Sequence, residues 1–317
     1  MKTRSVSENM EWLRNEIAKL KKEKNALIMA HYYQRDEIQE IADFIGDSLA
    51  LARQAAKTDA DIIVMCGVHF MGETAKILCP DKKVLIPDAN AGCSLADSCD
   101  PVEFKEFVEA HPDHTVISYV NTSAAVKALT DIVVTSGNAR QIVEKLPEEE
   151  KIIFGPDHNL GEYINSVTGR NMLLWKGACH VHDRFSLEKI IEMKKEHPGA
   201  KILVHPECRR PLQLIADKVG STAALLDFAQ KDDSKEYIVV TESGILFEMR
   251  KKCPQKVFLA APAEDAECQC NECDFMKMNT LKKVSECLRD EIPEIKVEEE
   301  VAEKAVKPIQ RMLEMSN

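Results

Sequence analysis

Positive charge is what this sequence is short of: 42 Lys and Arg stand against 53 Asp and Glu, a net charge of −11 over 317 residues. That balance argues against a nucleic-acid or anionic-membrane surface, so an anionic ligand has to be held by local devices rather than by the overall field. Long apolar runs are also missing. No window reaches transmembrane length, and the first residues have neither the apolar core nor the cleavage site of a signal peptide, which points to a cytosolic protein. Neither Gly-x-Gly-x-x-Gly nor Gly-x4-Gly-Lys-Ser/Thr occurs, which disfavours a Rossmann or P-loop nucleotide binder. The cysteines lack a second pair at zinc-ribbon spacing and do not form the Cys-x3-Cys-x2-Cys of radical enzymes.

What is present instead is a set of eleven cysteines in a chain expected to live in a reducing compartment. Most fit buried small hydrophobes, with a few reserved for a metal. Three of them, Cys268, Cys270 and Cys273, crowd into ECQCNECDFMKMN and point to metal or redox chemistry. A disulfide of Cys268 with Cys270, or of either with Cys273, is the weaker, redox-regulatory reading.

The chain repeats itself three times. Three apolar runs end in an imidazole or phenol: ALIMAHYYQ (His31), TVISYVN (Tyr119) and KILVHPE (His205). Each is followed, 17 positions on, by a Ser or Thr expected to open a helix: Ser48, Ser136 and Thr222. His31, Tyr119 and His205 stand 88 and 86 residues apart. A second run follows (DIIVMCG, KIIFGPD, YIVVTESG), then a helix, then a third run leading to a cysteine: Cys93, Cys179 and the Cys268–Cys273 cluster. Strand–helix alternation implies parallel sheets whose working residues gather at the carboxyl ends of strands. The expected architecture is α/β: three pseudo-symmetric αβα domains with small parallel sheets around a pseudo-threefold axis, at 1–106, 107–192 and 193–317. The segment from Glu8 to Lys24 reads as an amphipathic helix with Trp12, Leu13, Ile17 and Leu20 on one side. The tail from Thr280 reads as two helices packing with it, the second kinked or restarted at Pro308.

Equivalent loops would deliver three thiolates, which suit zinc or an iron–sulfur cluster with one metal position left open. Helix N-termini would bind phosphate or carboxylate without Lys or Arg. His31, Tyr33, Tyr119, His205 and Glu207 are candidates for proton transfer, and Asn121 occupies the position matching Tyr33 and Glu207. A small, oxygen-rich, anionic substrate follows. An iron–sulfur hydro-lyase of a hydroxy acid, or a non-enzymatic cluster carrier or redox sensor, are the competing readings.

HYYQ, GDS, SYVN, TSGNA, HPE, GST and the terminal Cys-x-x-Met-x-Met-Asn together resemble the quinolinate synthase family over nearly the whole chain. The resemblance implies three αβα domains around one 4Fe–4S cluster held by three cysteines, here Cys93, Cys179 and Cys273. It implies condensation of iminoaspartate with dihydroxyacetone phosphate to quinolinate, precursor of the NAD pyridine ring, with loss of phosphate and two waters. The implied substrate-binding positions are His31, Ser48, Tyr119, Val120, Asn121, Ser136, His205, Pro206, Glu207 and Thr222. Acid–base roles fall on Tyr33 and Glu207, with His205 as a further catalytic candidate. An aspartate oxidase or dehydrogenase that makes iminoaspartate is the implied functional partner, with no nucleic acid or membrane involved. Asp274 departs from the proline that often follows the third ligand in relatives.

Overall fold

The computed structural model describes residues 6–264 and 271–316, so Cys268 and Cys270 lie outside the described residues. Among the described residues, twelve strands make three four-stranded sheets. The first contains β1 Ala26–His31, β2 Phe44–Gly46, β3 Ile62–Cys66 and β4 Lys83–Leu85. The second contains β5 Thr115–Tyr119, β6 Ile132–Val134, β7 Ile152–Gly155 and β8 Leu173–Leu174. The third contains β9 Lys201–Val204, β10 Lys218–Val219, β11 Glu236–Val240 and β12 Val257–Ala260. All three have the same order, with the second strand at one edge, then the first, third and fourth. Every neighbouring pair is parallel. The chain is thus α/β with three small parallel sheets, as its triple repeat leads one to expect. Continuous apolar runs such as Ile62–Cys66 are buried at every position, as strands covered on both faces must be.

The repeat extends to single hydrogen bonds. Asp43, Asp131 and Asp217 precede the edge strands, and each carboxylate accepts the N–H of a residue near the start of the first strand: Ile28 at 2.9 Å, Val116 at 2.8 Å and Ile202 at 2.8 Å. A buried side chain also staples the loop after each first strand. Gln39 donates to the Tyr32 and Gln34 carbonyls, Gln213 to those of Pro206 and Cys208, and Lys127 takes the same place with a bond to the Thr122 carbonyl.

Two compact units divide the chain: Met1–Cys93 with Asp274–Glu298, and Ser94–Cys273 with Glu299–Asn317. In the first unit, helix Val6–Glu23 lays Leu13 and Ile17 against Leu281, Val284 and Leu288 of helix Leu281–Asp290, over the β1 and β3 residues Ile28 and Val64. Leu13, Ile17 and Leu20 follow the i, i+4, i+7 spacing of one helix face. Trp12 lies one residue off that face and is 39% exposed, contrary to the sequence reading. The second unit holds the other two sheets. Its helix Glu299–Met315 packs along β6 and helix Ala124–Lys127 of the same unit, whereas the sequence reading groups both tail helices with the N-terminal one. That helix runs through Pro308 without a restart. Ala305, Pro308, Ile309 and Met312 are buried on one face, and this packing holds the helix where one backbone N–H is missing. No helix among the described residues is long and apolar enough to cross a membrane.

Candidate active site

In the second unit the residue ending β5 and those following β9 meet. The Tyr119 hydroxyl donates to Glu207 Oε1 at 2.5 Å, and Glu207 Oε2 lies 2.8 Å from His182 Nδ1. The His182 ring stacks on His205 with centroids 4.5 Å apart, and its Nε2 lies 2.8 Å from Thr241 Oγ1. Cys179 Sγ is 3.3 Å from the same Nδ1. Tyr119, His182, His205, Glu207 and Thr241 are all buried. Burial opposes ionisation of the Glu207 carboxyl. The facing imidazoles of His182 and His205, with the hydrogen bonds from His182 and Tyr119, outweigh it and take the group down to about 2. With a carboxylate and a sulfur both facing Nδ1, the proton of His182 sits on that nitrogen in this arrangement. Val120 and Pro206 are buried between the functional positions on either side of them. Among the described residues the buried amide oxygen of Asn121 has no hydrogen-bond partner, a state it shares with the side-chain oxygens of Gln34, Gln39, Gln213 and Asn279.

In the first unit His31 ends β1, and its ring is edge-on to Tyr33 at 4.5 Å. His31 Nδ1 accepts the Tyr33 N–H at 3.2 Å, just as His205 Nδ1 accepts the Glu207 N–H at 3.4 Å. The Met-x-Met-Asn stretch closes over this end of the sheet. Asn279 donates to the Gly67 carbonyl at 2.8 Å, and Lys277 to the Tyr33 carbonyl at 2.8 Å.

Ser48 and Thr222 are the first residues of helices Ser48–Ala55 and Thr222–Lys231. Their caps are the preceding residues, since Asp47 accepts from the Ala50 N–H and Ser221 from the Ala224 N–H. Ser136 departs from the expectation. It lies in a turn, and its helix Ala139–Lys145 starts three residues later. The cause is local: the Asn138 Oδ1 accepts from the Thr135 N–H at 2.6 Å and from the Thr135 hydroxyl at 3.2 Å, winding 135–138 into a turn first.

The three cysteine loops share one backbone bond. The residue opening the helix turn after the second long strand donates to the carbonyl two positions before the cysteine. The pairs are His69 to Ala91 at 2.7 Å, His158 to Gly177 at 2.8 Å and Ser243 to Asn271 at 2.9 Å. They mark Cys93, Cys179 and Cys273 as equivalent positions. Two acids that sequence reading passed over hold the last two loops: Asp157 accepts the Cys179 N–H at 2.8 Å, and Glu242 the Cys273 N–H at 3.1 Å. Both acids lie two residues past a strand end, inside runs read only as strands; the counterpart in the first repeat is Val68. Gly177 is required where it stands, with φ +125° and a hypothetical Cβ 2.3 Å from Ser98 Oγ.

Comparison with known proteins shows the family. The family model of the Quinolinate synthetase A protein (NadA) matches residues 15–314. The chain belongs to that family. It is 56% identical to the quinolinate synthase of Chloroherpeton thalassium over 301 residues, covering 95% of this chain and 94% of that one. It is 56% identical to that of Microcystis aeruginosa over 300 residues, with the same coverage. With that of Cyanophora paradoxa it shares 53% over 309 residues, covering 98% of this chain and 94% of the other.

The thiols of this family member divide by burial in a way that suits an iron–sulfur cluster. Among the described residues, Cys93, Cys179 and Cys273 are the half-exposed cysteines, and Cys66, Cys79, Cys99, Cys208, Cys253 and Cys287 are buried. Burial pushes the Cys99 and Cys287 thiols up to about 12 and drives those of Cys66 and Cys208 upward as well, which keeps them protonated and poor ligands. Cys208, beside Glu207 in sequence, is a core residue turned to the Val240 carbonyl.

Proposed function

We propose that this chain is a cytosolic quinolinate synthase, condensing iminoaspartate with dihydroxyacetone phosphate to quinolinate with loss of phosphate and two waters. Membership of the family makes it an enzyme of quinolinate formation and of NAD biosynthesis. The observation that carries the reading furthest is the shared hydrogen bond two residues before Cys93, Cys179 and Cys273, which supports these three as ligands of one 4Fe–4S cluster. When bound, a cluster held by three thiolates supplies Lewis-acid chemistry at an iron without a protein ligand.

The side chains divide the remaining work. Ser48 and Thr222, first in their helices and not the cap residues, offer hydroxyls at helix N-termini to phosphate and carboxylates, and Ser136 offers its hydroxyl from a turn. Asn121 presents an amide oxygen to a substrate donor. Glu207 stays ionised and shares protons with His182 and Tyr119 across bonds of 2.8 and 2.5 Å, while Tyr33 offers its phenol from the first repeat. His31 and His205 present the Nε2 side of their rings, because each Nδ1 accepts a backbone N–H. An aspartate oxidase or dehydrogenase supplies the unstable iminoaspartate.

The test is anaerobic. Cys93→Ser, Cys179→Ser and Cys273→Ser should each lose iron, sulfide and quinolinate formation, whereas Cys66→Ser and Cys287→Ser keep iron near the wild-type level. Full iron in Cys273→Ser would remove that residue from the ligand set. Zinc, or no metal, in wild-type protein purified without oxygen would sink the reading.

A further inference from the structure

We infer that Cys179, His182 and Glu207 form a site for a single divalent transition-metal ion of the zinc type in protein that carries no cluster. The three donors are thiol, imidazole and carboxylate, the set that zinc takes in open sites. Cys179 Sγ and His182 Nδ1 are 3.3 Å apart, His182 Nδ1 and Glu207 Oε2 are 2.8 Å apart, and the three ligand atoms all lie within 4.8 Å of one another. Ligands bonded to tetrahedral zinc at about 2.0–2.3 Å stand roughly 3.3–3.6 Å apart, so only small side-chain movements are needed.

The surroundings match a metal site more closely than the three ligands alone. His182 Nε2 faces Thr241 Oγ1 at 2.8 Å, the outer hydrogen bond that fixes a ligating imidazole in orientation and tautomer. Glu207 spends its other oxygen on the Tyr119 hydroxyl at 2.5 Å, and Asp157 holds the Cys179 N–H at 2.8 Å. Binding turns the Cys179 thiol into a thiolate with release of its proton, and moves the His182 proton from Nδ1 to Nε2, where Thr241 accepts it. Thiolate and carboxylate then neutralise the dication, and the fourth position is left to water. Nothing in this chemistry needs Cys93 or Cys273. The ion site shares Cys179 with the proposed cluster and Glu207 with the proposed proton transfer, so ion and cluster exclude each other. A divalent ion bound here blocks both cluster assembly and turnover. That consequence, unlike the site itself, rests on the proposed cluster ligation.

The full chain, purified anaerobically and stripped with a chelator, is titrated with Co²⁺ as an optical probe, and Zn²⁺ is then added to displace it. One equivalent should bind with tetrahedral visible bands and a sulfur-to-cobalt charge-transfer band. Cys179→Ser, His182→Gln and Glu207→Gln should each weaken Co²⁺ at least tenfold. Thr241→Val, which removes the hydrogen bond at His182 Nε2 and leaves the three ligand side chains in place, should weaken it about tenfold to a hundredfold. Cys93→Ser and Cys273→Ser should bind Co²⁺ as wild type does. Loss of Co²⁺ in Cys93→Ser or Cys273→Ser with retention in His182→Gln would place the ion among the cysteines and overturn the proposal. So would one equivalent bound without the sulfur band. Should His182→Gln fail to fold by circular dichroism, Thr241→Val decides. Chain preloaded with Zn²⁺ should take up less iron and sulfide on reconstitution; full uptake with Zn²⁺ retained would refute the exclusion. If the cysteine variants keep their iron, the cluster reading fails, while the Co²⁺ titration still answers for the ion site.

Discussion

At the end of β1, His31 Nδ1 accepts the N–H of Tyr33; just past β9, His205 Nδ1 accepts that of Glu207. The strands have the same place in their sheets, and Gln39 and Gln213 staple both loops in the same way. What differs is the residue two places on. In the first sheet it is a phenol packed edge-on against the histidine. In the third it is a carboxylate buried among His182, His205 and Tyr119. The repeated backbone thus provides a standard mount, and one side chain per repeat decides whether it carries an aromatic wall or an ion network.

The largest effect should separate these two mounts. Glu207→Gln keeps shape and hydrogen bonding but removes the charge, and turnover should fall about 10²–10⁴-fold with iron content unchanged. Tyr33→Phe should cost less, about ten- to a hundredfold. Equal losses in both, measured as kcat on reconstituted enzyme, would mean that the two ends share the chemistry evenly. Near-normal turnover in Glu207→Gln would move the acid–base role to His205.

A smaller effect should distinguish the helix caps from the residues after them. Ser48→Ala and Thr222→Ala should each weaken dihydroxyacetone phosphate or dicarboxylate analogues about tenfold, the loss of roughly 1.5 kcal/mol from a hydrogen bond to a charged group. Ser221→Ala should instead cost about 1 kcal/mol of stability as a lost cap, with little change in binding. Should Ser48→Ala and Thr222→Ala lower Tm and leave binding intact, these hydroxyls are structural.

The smallest effect concerns acid. Hydrogen bonds from Lys24 and Lys83 pull the Glu291 carboxyl in the first unit down to about 2 from 4.5. Between those values the unfolded chain binds more protons than the folded one, so this group's contribution is complete above about 4.5 and is lost as pH falls toward 2. Glu207 of the second unit has the same sign and window. Glu291→Gln should therefore flatten the fall of Tm between pH 5 and pH 2.5, which differential scanning calorimetry reads directly; an unchanged slope would assign the acid sensitivity elsewhere.

Much of this was legible in the chain. The nine longer runs announced themselves by apolar content and β-branching, and an 86-residue offset aligned Cys93 with Cys179. The edge strands β2, β6 and β10 were not, whereas β4 and β8, which are no longer, were marked by the apolar runs KVLIP and MLLW around them. Ser136 was misplaced because its helix start depends on which backbone groups Asn138 captures, and Trp12 because its face is decided by what packs beside it. Thr241, Asp157 and Glu242 stood inside runs read as strands, where a polar residue at a strand end has no local mark of its role.

Periodicity, repeat spacing and residue type were enough to specify three parallel sheets, Cys93, Cys179 and a third cysteine within the Cys268–Cys273 cluster, and the strand-end residues; Cys273 in particular is what the family resemblance implies. Burial and mutual orientation were left to the folded chain. Nine described thiols look alike in sequence, and only packing separates six buried core residues from three half-exposed ones. Likewise, Tyr119, His182 and Glu207 span 88 positions, and no local propensity relates them. Tyr119 and Glu207 come from two different sheets, Tyr119 from the end of β5 and Glu207 from just past β9, and burial then makes an unpaired carboxylate too costly to leave without its imidazole and phenol partners.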